Sequence, residues 1–118
     1  MADAEIVVVG PGDVALTEEP LDPATIVAGA PRVHEGEIAE ATGSAGTITT
    51  GVWRCSEGVV TDVEVAETFI VLSGRATIEH EGTHHDVAPG DVCVLPAGAG
   101  TRWTIHEELT KVFVTLTP

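Results

Sequence analysis

No segment of this chain that is free of glycine and proline carries a helical period. Its longest uninterrupted stretches instead alternate apolar and polar residues with period two, and Gly or Pro recurs between them. Valine, isoleucine and threonine, which favour a pleated surface, dominate those stretches. The pattern predicts strands over Glu5–Val9, Thr47–Cys55, Val59–Val65, Thr68–Ser73, Ala76–Glu81, His84–Ala88, Asp91–Leu95, Arg102–His106 and Thr110–Leu116. Many short strands separated by turn signals imply an all-β sandwich or barrel. Glu81-Gly82-Thr83 reads as a hairpin turn between two of them. Residues 10–45, richer in Pro, Gly and acids, are expected to wrap the barrel in irregular or edge-strand form.

A chain of 118 residues is one domain by size, here read as an N-terminal segment over 1–45 packing on a barrel over 46–118. With 43% apolar residues it has the material for a core. Nineteen acids against five Lys and Arg give a formal charge of −14. Without a basic patch there is no counterion release to drive binding to nucleic acid, and anionic membranes are disfavoured likewise. No apolar run reaches the length of a membrane helix, and the N-terminus lacks the basic start of a signal peptide, so a cytoplasmic location is expected. Cys55 and Cys93 form neither a metal spacing nor a disulfide framework and read as buried thiols.

Gly10-Pro-Gly12-Asp-Val-Ala15 after Ile6–Val9 imitates the glycine fingerprint of dinucleotide-binding folds. That fingerprint needs a following helix to receive the pyrophosphate, and Pro20 and Pro23 cut the segment short. Nucleotide binding there is rejected.

The most specific pattern lies further on. Glu67-x6-Gly74 is followed by Pro89-Gly-Asp91-x4-Pro96-Ala-Gly98. Gly51-Val-Trp53-Arg-Cys-Ser-Glu-Gly58 precedes it, and Thr101-Arg-Trp103 and Lys111-Val-Phe113-Val follow. Together these resemble the two motifs of the cupins. Within them they are similar to the small single-domain group around ureidoglycine aminohydrolase cupin domains and ethanolamine-utilisation protein Q. The resemblance implies a cupin-type double-stranded β-helix, a jelly-roll barrel of two antiparallel sheets, often paired as a homodimer. It also implies a metal site, yet at the usual ligand positions this chain has Thr61, Val63 and Thr101, and only Glu67 keeps a carboxylate.

If Glu67 points inward, as the resemblance implies, Phe69 and Val71 share its face, because side chains alternate along a strand. By the same alternation Thr101 and Trp103 share one face, and so do Trp53 and Cys55. A pocket lined by Trp53, Cys55, Thr61, Phe69, Thr101 and Trp103 around Glu67 is the consistent arrangement, with core filling the other reading of the two tryptophans. Hydroxyls are weak ligands for transition ions, so no metal residue is assigned and no cofactor is expected, a divalent ion being the lesser alternative. Of the histidines, His80 shares a face with Ala76 and Ile78 and is read as an ordinary hydrogen-bonded residue. His84 and His85 are read as surface residues beside the Gly82 turn, and His106 as solvated.

The expected function is small-molecule binding in a degenerate metal pocket. There a desolvated Glu67 would act as general acid or base on a small polar metabolite. The alternatives are a non-catalytic binding or accessory module, and a metal-dependent hydrolase of ureido or amide compounds.

Overall fold

The computed structural model describes residues 5–118. It contains β1 (Thr17–Glu19), β2 (Ile26–Gly29), β3 (Val33–Gly43), β4 (Gly46–Cys55) and β5 (Gly58–Val63). These are followed by β6 (Ala66–His80), β7 (Thr83–Val87), β8 (Val92–Leu95) and β9 (Gly100–Thr117). All pairings are antiparallel, and the sheet curls over itself into a jelly roll.

Two long strands make the curl. The second half of β9, residues 110–117, lies between β4 and residues 66–73 of β6, and β8 borders β6 on its other side. The first half of β9, residues 100–105, lies between β5 and residues 76–79 of β6, with β7 beyond. One layer is therefore β1-β3-β4-β9-β6-β8 and the other β2-β5-β9-β6-β7. Where the sequence predicts two pairs of separate strands, Thr68–Ser73 with Ala76–Glu81 and Arg102–His106 with Thr110–Leu116, each pair is one unbroken strand that turns the corner. Register breaks between Val71 and Ala76 accommodate the bend. Gly74 sits at the corner with φ 87°, and any side chain there would run into the Glu108 carbonyl of β9.

The predicted hairpin between β6 and β7 forms with Glu81 and Gly82 as its two turn residues, at φ 49° and 79°. Positive φ at both positions gives the right-twisted turn that suits a tight hairpin.

The N-terminal region is more regular than its composition suggests. β1 and β2 are edge strands, but β3 is an interior strand paired with β4 along its length. Gly36 explains part of this, since the segment Val14–Leu16 crosses so close to it that a Cβ would collide with the Ala15 carbonyl. Glu5–Val9, expected as a strand, is not one. Ile6 and Val8 are 96% and 92% exposed and pair with no strand among the described residues.

The core between the layers holds Phe69, Val71, Ile78, Trp103, Ile105, Leu109 and Phe113. Trp103 of the second layer lies 5.5 Å from Phe69 and 5.7 Å from Trp53 of the first, ring centre to ring centre, which ties the layers together.

Candidate functional site

At the β3/β5 edge of the sandwich the layers part around a cavity of about 380 Å³. β3 contributes Val33 and Glu35, β4 Trp53, β5 Val60 and Thr61, and β9 Trp103, Lys111 and Phe113. Glu64, from the β5–β6 connection, and Glu67, from the start of β6, complete the wall, and residues 19–25 run across its mouth.

The centre of this wall is Lys111, 5% exposed. Its Nζ donates to a Glu67 carboxylate oxygen at 2.6 Å. It also lies 4.4 Å from the ring centre of Phe69, 4.6 Å from that of Trp53 and 4.7 Å from that of Trp103. An ammonium removed from water needs this kind of compensation, one anion and several ring faces with their negative quadrupoles. The alternation of β9 dictates the placement, because Leu109, Lys111 and Phe113 all point inward. Sequence reasoning counted Lys111 only as part of a resemblance. Its signal was its phase, a charged residue at the inward position of an apolar strand.

Glu67 is thus a paired carboxylate and not the desolvated lone acid expected of it. Burial does perturb Glu64, 8% exposed. It accepts from the Thr101 hydroxyl at 2.7 Å and from the Trp103 indole N–H at 3.0 Å. Burial pushes its pKa up, against the pull of those two hydrogen bonds, which favour the charged form. Its backbone is clamped by the Pro96–Ala99 turn of the second motif: the Glu64 N–H donates to the Ala99 carbonyl, and the Gly98 N–H donates to the Glu64 carbonyl. The missed signal here was inverted alternation, Val63 and Val65 exposed on either side of a buried Glu64. A third carboxyl, Glu35, is half-buried at the rim, where burial and then the neighbouring charge of Glu19 raise its pKa.

The sequence-predicted residues divide. Glu67, Trp53, Thr61 and Trp103 line the cavity. Thr101 stands behind Glu64 and holds it by the hydrogen bond just described, while facing a second cavity between β7 and β8. Cys55 and Phe69 lie in the packed core, 0% and 1% exposed, and do not line this cavity, since their neighbours across the sandwich close over them. Burial pushes the Cys55 thiol up to about 11. The His80 Nδ1–H donates to the Gly100 carbonyl oxygen at 3.0 Å.

The donor set does not fit a metal ion. Thr61 and Thr101 offer neutral hydroxyls, Thr101 already bonded to Glu64, and Glu67 is taken by an ammonium that fills the role a metal cation would have. Among the described residues no three His, Cys, Asp or Glu side chains converge closely enough to hold one.

Comparison with known proteins agrees with this architecture. A protein of unknown function from Pseudomonas syringae pv. tomato superposes with a TM-score of 0.75 at 23% identity, over 86% of this chain and 44% of that longer one. Another, from Acidithiobacillus ferrooxidans, gives 0.62 at 26% identity over 90% and 97% of the two chains. The ethanolamine utilization protein Q of Salmonella typhimurium gives 0.64 at 15% identity over 88% and 95%. No curated protein matches the chain. The family model of the EutQ-like cupin domain matches residues 42–113, which span β4 to β9 and carry Glu64, Glu67, Trp103 and Lys111. The chain belongs to the EutQ-like cupin domain family.

Proposed function

We propose that the cavity binds a small polar metabolite that carries both a hydrogen-bond acceptor and N–H or O–H donors, and that its carboxyls move a proton on that molecule. The observation that carries the reading is the Lys111–Glu67 pair set into the cavity wall beside the protonation-prone Glu64. Lys111 has donors to offer an acceptor such as a carbonyl or carboxylate oxygen. Glu35 and Glu64 accept from, or donate to, the other end. Trp53 supplies a flat apolar wall against which a planar amide or ureido group packs.

In the catalytic form of this proposal Glu64 is the proton-bearing group and the Lys111–Glu67 pair orients the substrate and steadies developing charge. General acid–base catalysis of this kind is worth about 10²–10⁴-fold. A second reading, a binding module without turnover, is favoured by the pairing of Glu67 itself, because a carboxylate committed to an ammonium is a poor base.

Thermal-shift titration with small amides, ureido compounds and organic acids, followed by NMR of each stabilising ligand on long incubation, separates the two. Consumption of the ligand that stops in Glu64→Gln supports catalysis. A ligand that stabilises and survives supports the module. Absence of any stabilising ligand across the panel would overturn the reading of the cavity as a binding site.

A further inference from the structure

Lysine occurs once in this chain, at position 111, and the fold places it inside. The four arginines, Arg32, Arg54, Arg75 and Arg102, all lie outside. Pairing with Glu67 does not by itself call for a lysine. A buried ion pair is often no more stabilising than two apolar side chains of the same volume, and arginine holds a carboxylate through two parallel bonds. What lysine brings and arginine cannot is a primary amine, able to add to a carbonyl carbon.

The surroundings of Nζ suit that reaction. Its one hydrogen bond among the described residues goes to Glu67, which leaves two N–H groups unclaimed. Lys111 and Glu67 line the same cavity, so a molecule bound there lies beside the amine and its carboxylate. The rings of Phe69, Trp53 and Trp103, between 4.4 and 4.7 Å from Nζ, favour positive charge at that point. A protonated imine carries the same single charge on the same nitrogen as an ammonium. The groups that stabilise the resting side chain therefore also stabilise the product of its condensation with a carbonyl compound.

We propose that Lys111 captures a small neutral aldehyde as a protonated imine on Nζ, with Glu67 as the proton carrier. Glu67 takes one proton from the ammonium. The freed nitrogen pair adds to the carbonyl carbon while the C=O π electrons move onto oxygen. That oxygen collects two protons, the one held by Glu67 and a second given up by the nitrogen, and leaves as water. One hydrogen and the positive charge stay on the imine nitrogen, so the step needs no outside acid, base or redox partner.

The cavity wall selects the kind of aldehyde. Glu19, Asp22, Glu35, Asp62, Glu64 and Glu67 line it, against the single cation of Lys111. An aldehyde bearing a carboxylate meets that field unfavourably, whereas the hydroxyl of a hydroxyaldehyde donates to a carboxylate. This inference rests on the reading of the cavity as a binding site and names the chemistry of its occupant.

Reductive trapping on the purified full chain tests it, with glycolaldehyde and cyanoborohydride at neutral pH and the adduct mapped by peptide mass spectrometry. On an unfolded chain the N-terminal α-amine, the weaker base, reacts ahead of a lysine. In the native chain the order should reverse, with Lys111 labelled at least about tenfold faster, since orientation in a site is worth more than that. Urea should restore the ordinary order, and Lys111→Arg, which keeps the charge, should lose the adduct. Relative to the N-terminal amine, glyoxylate should label Lys111 severalfold less than glycolaldehyde does. An adduct confined to the N-terminal amine of the native wild type overturns the inference, as does a Lys111 rate no greater than in urea. Equal labelling by glyoxylate overturns the choice of a neutral aldehyde. If no aldehyde labels Lys111 while an amide or ureido compound stabilises the fold, imine capture is refuted and the cavity remains a binding site.

Discussion

The Lys111 ammonium and the Glu67 carboxylate meet at 2.6 Å with 6% and 10% of their side chains exposed, so each is the main counter-charge that the other has. Forty-four positions apart in sequence, they meet on the inner face of the paired β6 and β9, where the register sets Lys111 opposite Val71 and Glu67 opposite Thr115, and they give the cavity its one buried cation among the described residues.

Removing one partner therefore strands the other. Lys111→Met is expected to destabilise the fold by about 3–5 kcal/mol, because an uncompensated carboxylate remains buried. The double variant with Glu67→Leu should recover most of that loss. Urea unfolding of the wild type, both single variants and the double variant completes the cycle, and additive losses would count against direct coupling.

Glu64 sets a pH dependence. Its folded pKa lies above the unfolded value, so it favours the fold when protonated, fully so below about 4.5, and that contribution is lost as pH rises towards the folded pKa. Glu35 acts in the same direction. Thermal midpoints measured from pH 4.5 upward should contain a falling component that Glu64→Gln flattens.

Thr101→Val keeps the shape but deletes the hydroxyl that bonds Glu64. A loss of about 1–2 kcal/mol is expected, together with a further rise in the Glu64 pKa, since the hydrogen bond favours the charged form. A carbon-13 NMR titration of the Glu64 carboxyl reads the second effect, which mere loosening of packing would not produce.

The two thiols should react at very different rates. Cys55 has no exposed surface and a pKa near 11, so a thiolate-directed reagent at pH 8 should label it only when the chain unfolds. Cys93, half-buried and facing the cavity between β7 and β8, should label in the native state. Mass spectrometry of protein labelled with and without urea distinguishes them.

Much of this was legible in the chain. The period-two segments from Thr47 onward locate the strands, and the glycine and proline spacing from Glu67 to Gly98 identifies the barrel, because both are local consequences of backbone stereochemistry. What escaped reading is non-local. Gly74 announces a bend, but only the approach of Glu108 shows that the bend is a corner inside one strand. Glu5–Val9 has strand-forming residues yet pairs with no strand, and propensity alone cannot tell a paired segment from an unpaired one. The Lys111–Glu67 pair depends on which inward positions become neighbours on the paired β6 and β9, and the role of Glu64 on what the Pro96–Ala99 turn and the start of β9 bring to it. Alternation marks them as inward but does not name their partners.

The passage of β6 and β9 through both layers limits how this protein can move. Two independent sheets can slide or gape like the covers of a book, but here the same two strands form the spine and part of each cover. Opening the layers would require unbending both strands at their shared corner, where Gly74 packs on the Glu108 carbonyl. A ligand that reaches Lys111 must accordingly be admitted by the segments at the cavity mouth, residues 19–25 and the β5–β6 connection, while the barrel behind them stays shut.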